Sequence, residues 1–557
     1  MFADTPTAAI HEIITEEITM KCPICAAENP DNAAFCGNCG SRISQEQPID
    51  QPQPEPAAKK SGFADLLKAN KKLIAIGAGV LVVLILIICV CASLSGGSSS
   101  SGDYLYAPQN SVRVLHIDDE LKILLNGKYI DGPLDTENGY FVTSLDYSTS
   151  ILLTYNDNYD YDSAYLITEK GLKKIADDVI NAKISDNGKV AAVLTDDYML
   201  YSVELPSCKM TKIRLCDEDT PYSIRMSPNG KCMLYRVDGE LWFHKDGAED
   251  YMIADSYYTG IALSDGGKYI YIRNTDNDAI YMTKANDPEK VKLAPSGGSS
   301  VQTNADRSEI LFCTDDDKAY ICVKGGEKVK LLESQWCSPL YPDGTTAVKT
   351  FIGIPLTYDT SDDCGMFYIS KKLEAEKIAK GVDSEYSLDY AYGITGVRIY
   401  PTVKEIVGDT LYYTKSGKLY MSSASEGYEP EKIASDVINF AVTKDGKHVY
   451  YIDEENTLWC YTGGDPKKIA DDVYRFNFGT FGSSVFFLTD YADYTGTLYS
   501  CSDGKNKTRI ADEVIYVEYN SNEINYFVVE SREDASCSFY TSADGKKFTC
   551  ILYNYEI

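Results

Sequence analysis

Histidine is nearly absent from this chain of 557 residues: His11, His116, His244 and His448 are all there are. A metal centre built on imidazoles, or a hydrolytic triad, would have to draw on very few side chains. Tryptophan is scarce too, at 3, and no G-x-S-x-G stretch offers a nucleophilic serine on a strand-to-helix turn. Positive charge is the third shortage. Lys and Arg number 53 against 83 Asp and Glu, for a net charge of -30. This excludes nucleic acid as a main partner, because a phosphate backbone needs a basic surface to displace its counterions. Tyrosine is abundant, at 44 beside 17 Phe, and such aromatic enrichment favours strands over helices.

The longest uncharged run is residues 73–92, LIAIGAGVLVVLILIICVCA. As a helix at about 1.5 Å per residue it would span roughly 30 Å, the thickness of a bilayer's hydrocarbon core. Lys59, Lys60, Lys68, Lys71 and Lys72 precede it, whereas no Lys or Arg follows until Arg113. The excess of positive charge on one flank predicts a single-pass protein with a cytoplasmic N-terminus and an extracytoplasmic C-terminal region. The expected boundaries are an upstream extension (1–19), a cysteine module (20–42), a Pro- and Gln-rich disordered tether (43–70), the membrane helix (71–95), a Ser/Gly spacer (96–102) and a repeat region (103–557).

In the cysteine module, Cys22-Pro23-Ile24-Cys25 and Cys36-Gly37-Asn38-Cys39 form a C-x2-C-x10-C-x2-C arrangement. Zinc takes four thiolates tetrahedrally, and two cysteines on one tight turn present both sulfurs to a single metal. Free thiols or two disulfides are the other readings, and a reducing cytoplasm disfavours the second. The stretch resembles the single zinc ribbon at the N-terminus of many bacterial membrane proteins. By that resemblance Cys22, Cys25, Cys36 and Cys39 hold one structural zinc ion per chain, Phe35 is the hydrophobic plug, and Met20 is a natural start. With no further candidate ligand the site is closed, and metal catalysis is not expected there.

From Asp103 onward the chain repeats itself. An apolar residue followed by an aromatic one recurs from Ala164-Tyr165 to Phe539-Tyr540, with steps of 36, 41, 39, 39, 48, 52, 39, 40 and 41 residues between aromatics. A Lys-Ile-Ala element trails it, as at Lys174, Lys432 and Lys468, with Asp one residue on at Asp177 and Asp471 and two on at Asp436. A turn box then leads the next strands, as in Ser185-Asp186-Asn187-Gly188-Lys189, Ser227-Pro228-Asn229-Gly230-Lys231, Ser264-Asp265-Gly266-Gly267-Lys268 and Thr443-Lys444-Asp445-Gly446-Lys447. Gly, Asn, Asp and Pro punctuate every eight to twelve residues, which leaves no room for paired helices. Four short strands per repeat of about 40 residues predicts an all-β fold, a β-propeller of about ten four-stranded repeats in one large ring or two smaller ones. A weaker eleventh unit is expected near Glu120-Leu121-Lys122, longer loops around Phe367 and Tyr420, and a blurred box at Tyr341-Pro342-Asp343-Gly344. The boxes resemble the S-P-D-G-K core of WD40-like repeats in TolB-type propellers, a likeness that implies architecture and no particular activity.

Other signals are weaker. Asn156 to Asp162 alternates oxygen-bearing side chains as calcium loops do, without their glycine and closing glutamate. Eleven cysteines lie beyond the apolar run's end, among them Cys313, Cys337, Cys460 and Cys501; an odd number cannot pair completely, and apolar neighbours favour buried thiols. The expected function is binding, as a membrane scaffold or sensor. It would join an extracytoplasmic protein or glycan, met through loops such as Tyr358–Cys364 and 386–392, to a cytoplasmic partner of the zinc ribbon. The alternative is an extracytoplasmic carbohydrate-active or hydrolytic enzyme using paired carboxylates in the propeller channel.

Overall fold

The Ser/Thr-x-Asx-Gly-Lys box is a closed turn with a fixed set of hydrogen bonds. In the computed structural model, the Ser227 amide donates to Cys232 O at 2.9 Å, the Gly230 amide to Ser227 O at 2.9 Å, and the Cys232 amide to Ser227 Oγ at 3.1 Å. The third residue finishes the turn: Asn229 Oδ1 accepts from Ser227 Oγ and from the Lys231 amide. The backbone and hydroxyl bonds recur at Ser185, Ser264 and Thr443, and the third residue accepts likewise at Asn187 and Asp445, whereas in the Ser264 box it is Gly266. The fourth position has positive φ, +76° at Gly230 and +68° at Gly446, which is the region glycine enters without a Cβ penalty.

The structure describes residues 19–21 and 28–30 and, between 103 and 556, all but short stretches. Cys22, Cys25, Cys36 and Cys39, the apolar run at 73–92, the tether, the spacer and residues 156–160 lie outside the described residues. Two compact units are separable, 1–91 and 92–557. In the first, Thr19–Lys21 pairs antiparallel with Glu28–Pro30, Met20 opposite Asn29. Among the described residues no helix is long and apolar enough to cross a membrane.

The second unit is all-β, a series of β-propeller-like sheets. Four-stranded antiparallel meanders cover residues 138–177, 179–215, 225–254, 258–292, 301–333, 336–380, 404–434, 437–470, 479–511 and 514–556, numbered here as blades 1 to 10. Blades 9 and 10 merge into one seven-stranded sheet because the long strand Thr508–Tyr519 pairs with blade 9 through its first half and with blade 10 through its second. The expected weak unit is a three-stranded sheet, Val112–Ile117, Glu120–Leu125 and Lys128–Asp131.

The apolar-aromatic pair always falls on a blade's third strand. Its apolar member, such as Leu200, Leu241, Leu419 or Leu498, is fully buried. In nine blades the register with the fourth strand shifts at or beside this pair, so each fourth strand carries a bulge. The Lys-Ile-Ala element lies on that outer strand, where Lys174 pairs with Asp177, Lys468 with Asp471 and Arg509 with Asp512. Exposed pairs of this kind contribute about 0–1 kcal/mol each, against about 1.5–3 kcal/mol for a buried leucine, so the apolar member carries the stability.

Each apolar cluster spans neighbouring blades. Ile151 and Leu153 of blade 1 pack with Val193 and Val203 of blade 2, and Tyr450 of blade 8 packs with Phe487 of blade 9. The three-stranded sheet shares a core with blade 1 through Leu121, Ile123, Leu152 and Ile167. It also reaches blade 10: Arg113 pairs with Glu518 and Glu523, and Tyr129 Oη donates to Ile551 O at 2.8 Å. The three-stranded sheet therefore contacts both blade 1 and blade 10.

The two long steps in the repeat are a connection at 381–403 and an insertion at 340–354 between the first two strands of blade 6. The insertion holds the blurred box and forms no such turn in its described part. Its Ala347–Val348 instead pairs with Tyr104–Leu105. Buried Glu309 of blade 5 ties it down, accepting Thr350 Oγ1 and the Phe351 amide, both at 2.7 Å. Burial raises the Glu309 carboxyl's pKa, against the opposing effect of those two donors.

Candidate functional site

In a four-stranded meander the turn joining strands two and three lies at the same end as the link to the next blade, and the other two turns lie at the opposite end. This topology sorts the chain's charge. At the first end the described turns hold Asp178, Asp196, Asp197, Asp238, Asp255, Asp276, Asp278, Asp315, Asp316, Asp317, Asp363, Asp383, Asp436, Glu454, Glu455, Asp471, Asp472 and Asp493, with only Arg398 and Arg475 as cations. At the second end, carboxylates such as Asp186, Asp265, Asp445 and Asp544 are interleaved with nearly as many Lys and Arg, including Lys189, Lys231, Lys268, Arg307, Lys447 and Lys546. The acidic excess is thus concentrated at one end, where like charges add to a field that attracts cations. Exposed aromatic rings stand beside them: Tyr257, Trp336 and Tyr494, the last 82% exposed.

At the second end, contacts between turns tie several blades to one another. Arg307 of blade 5 reaches Asp186 of blade 2 at 2.8 Å, and the Asn229 amide donates to Asp265 Oδ1 at 3.0 Å, which draws the turns of blades 2 to 5 together. Burial pushes the Asp186 carboxyl up, and the adjacent Arg307 only partly offsets it. Thr346 Oγ1 of the insertion donates to Leu145 O at 2.8 Å, extending this network to blade 1.

A cleft of about 500 Å³ opens among the first strands of blades 6 to 10, lined by Tyr341, Thr402, Lys404, Glu405, Lys444, Thr480 and Tyr519 with Ile406, Val442 and Phe478. Glu405 Oε2 already accepts the Val442 amide, at 3.1 Å. A second cleft of about 430 Å³ lies beside blades 1 and 2 and has Glu169 in its lining.

Two histidines are described with their side chains. His244 Nδ1 is 2.7 Å from Asp250 Oδ1 and its Nε2 is 3.6 Å from Asp246 Oδ1, while Tyr235 Oη donates to Asp250 Oδ2 at 2.5 Å. Carboxylates on both ring nitrogens restrain a turn of blade 3. His448 stacks on Tyr450, and its buried Nδ1 has no hydrogen-bond partner. The side chain of His116, like the four cysteines predicted to bind zinc and residues 386–390 of one predicted binding loop, lies outside the described residues.

The other predicted binding loop is only partly surface. Tyr358 is 3% exposed and donates its hydroxyl to Asp363 at 2.9 Å, so it packs beneath the turn instead of presenting a contact. Asp363 remains at the acidic end. The eleven cysteines after the apolar run are free thiols, and seven of them are buried: Cys232, Cys313, Cys322, Cys337, Cys460, Cys501 and Cys537.

Sheet order and repeat length define an all-β protein with β-propeller-like blades. No family model matches the chain, and no curated protein matches it either. Among solved structures it is similar to a eukaryotic initiation factor (9% identity over 80% of this chain and 97% of that one, TM-score 0.36). It is also similar to PorZ, a bacterial surface component of the type-IX secretion system of Porphyromonas gingivalis (11%, 81% and 67%, TM-score 0.27). A third is a GH74 enzyme of Niastella koreensis (10%, 81% and 87%, TM-score 0.27). At such values none of them supports an activity, a substrate or a partner.

Proposed function

We propose that this chain is a single-pass membrane binding protein whose propeller, outside the cytoplasm, engages a cationic protein surface through its acidic end. The observation that carries the reading is the sorting of charge: carboxylates crowd one set of turns almost without cations, while the opposite set is balanced. Exposed Tyr257, Trp336 and Tyr494 add apolar area and cation-π faces for Lys and Arg side chains. The ten blades and the three-stranded sheet form one closed ring, joined where the three-stranded sheet meets blade 10. On the cytoplasmic side Cys22, Cys25, Cys36 and Cys39 hold one structural zinc ion, and the ribbon offers a docking module for a partner there.

Binding is favoured over hydrolysis because glycoside chemistry needs two carboxylates facing one substrate. Among the described residues the 500 Å³ cleft is lined by one carboxylate, Glu405, and the 430 Å³ cleft by one, Glu169. The test is titration of the full-length chain in detergent with a fluorescent oligolysine. Affinity should fall steeply with added salt, and neutralising Asp315, Asp316 and Asp317 to Asn together should weaken it several-fold. Salt-independent binding, or none, would contradict the reading.

A further inference from the structure

Cys313 lies in the strand Glu309–Thr314 of blade 5 and Cys337 in the strand Trp336–Pro339 of blade 6. Both are fully buried in one apolar cluster with Leu311, Phe351 and Leu356. Their thiols interact with each other across the blade boundary. Ser300 holds the two strands together on the backbone side: the Cys313 amide donates to Ser300 O at 3.0 Å, and Ser300 Oγ donates to Cys337 O at 2.9 Å.

We propose that Cys313 and Cys337 are an oxidisable dithiol whose disulfide staples blade 5 to blade 6. The oxidant is a disulfide, either a small molecule such as oxidised glutathione or the disulfide of a thiol oxidase. The Cys337 thiolate attacks it, forming a mixed disulfide and releasing one thiolate. Cys313 then loses its proton and attacks the Cys337 sulfur, expelling the second thiolate. The two protein thiols give up two protons and two electrons, and the oxidant's disulfide is reduced to two thiols.

The order of attack follows from the contact. The interaction with Cys313 stabilises a Cys337 thiolate and lowers its pKa against burial, while the same interaction and burial raise that of Cys313. Full burial also sets the time of reaction: no bulky oxidant reaches either sulfur in the closed fold, so the bond forms while blade 6 docks, once the two thiols have met and before the cluster closes over them, and is then shielded from reductant. A second buried pair provides an internal comparison: Cys501 Sγ is 3.9 Å from Tyr450 Oη, which occupies it near Cys460.

The test is peptide mapping of the full-length protein matured in membranes with oxidised glutathione or with a reductant, acid-quenched, denatured and alkylated. With the oxidant, the peptides bearing Cys313 and Cys337 should appear as one cross-linked species lighter than their sum by two hydrogens. Reductant should separate them, and Cys460 and Cys501 should stay alkylatable throughout. In the Cys313→Ser chain, Cys337 should become alkylatable. Full alkylation of both thiols after oxidising maturation, or a cross-link from either one to another cysteine, would overturn the proposal, and the wild-type map reads this whether or not the variant folds.

Discussion

Arg113 and Glu523 stand 410 positions apart in sequence, yet Arg113 Nε lies 3.3 Å from Glu523 Oε1. Glu523 is 3% exposed, and it also accepts Ser111 Oγ at 2.7 Å and Asn525 Nδ2 at 3.1 Å. Ion pairs on the surface of this protein are worth little, but a carboxylate this deeply buried is costly to strand. Arg113→Ala should therefore destabilise the chain by about 3 kcal/mol, read as a lower urea midpoint. Glu523→Gln, which keeps the shape and two acceptor sites, should cost less. Equal stability of Arg113→Ala and wild type would mean that the three-stranded sheet does not close the ring.

The same junction should sense acid. Burial alone would raise the Glu523 pKa, but the donors Ser111, Asn525 and Arg113 outweigh it and hold the carboxyl below its ordinary value. A lowered folded-state pKa contributes stability that is present above the unfolded value of about 4.3 and is lost as pH falls through the folded one. Amide exchange across residues 112–131 and 524–556 should rise below about pH 4 before exchange in blades 3 and 4 does. Uniform loss of protection along the chain would contradict a local clasp.

The turn boxes differ in what a methyl group would meet. At Gly230 an added Cβ would approach the Val190 Cβ to 2.5 Å and the Ser185 Cβ to 3.0 Å, whereas at Gly446 the nearest atom is Val407 Cγ1 at 3.7 Å. Both positions have positive φ. Gly446→Ala should cost about 1 kcal/mol from backbone strain alone, and Gly230→Ala clearly more, since blades 2 and 3 would have to part. Thermal denaturation of the two variants measures the difference, and equal losses would mean that the contact between boxes is loose.

The proposed zinc site has its own outcome. The full-length chain should carry one zinc ion, released by chelator and lost in Cys36→Ser, while the blades keep their circular dichroism. Metal content unchanged in Cys36→Ser would remove Cys36 from the ligand set.

The repeat was legible wherever glycine marks the positive-φ corner. Two boxes escaped because another residue occupies it. Ser144 to Thr149 and Asn304 to Glu309 make the same hydrogen bonds with Tyr147 and Arg307 at φ of 56° and 61°. A Ser-x-Asp spacing without the glycine, as at Ser144 and Asp146, was the signal available. Other features needed the fold. Arg113 and Glu523 share no local pattern, and Tyr358 reads as a loop aromatic until its burial is seen. The charge sorting was hidden because turns of the two ends alternate along the chain, so a window longer than one hairpin averages Asp315–Asp317 with Lys324 and Lys328.

The acidic end of the propeller is proposed to bind cations. The most direct measurement is hydrogen exchange of the full-length chain with and without saturating oligolysine. Protection should appear at turns of the acidic end, including residues 196–198, 275–279 and 315–317, and should be absent from the boxes at 185–189 and 227–231. Protection at the boxes with none at the acidic turns would contradict it.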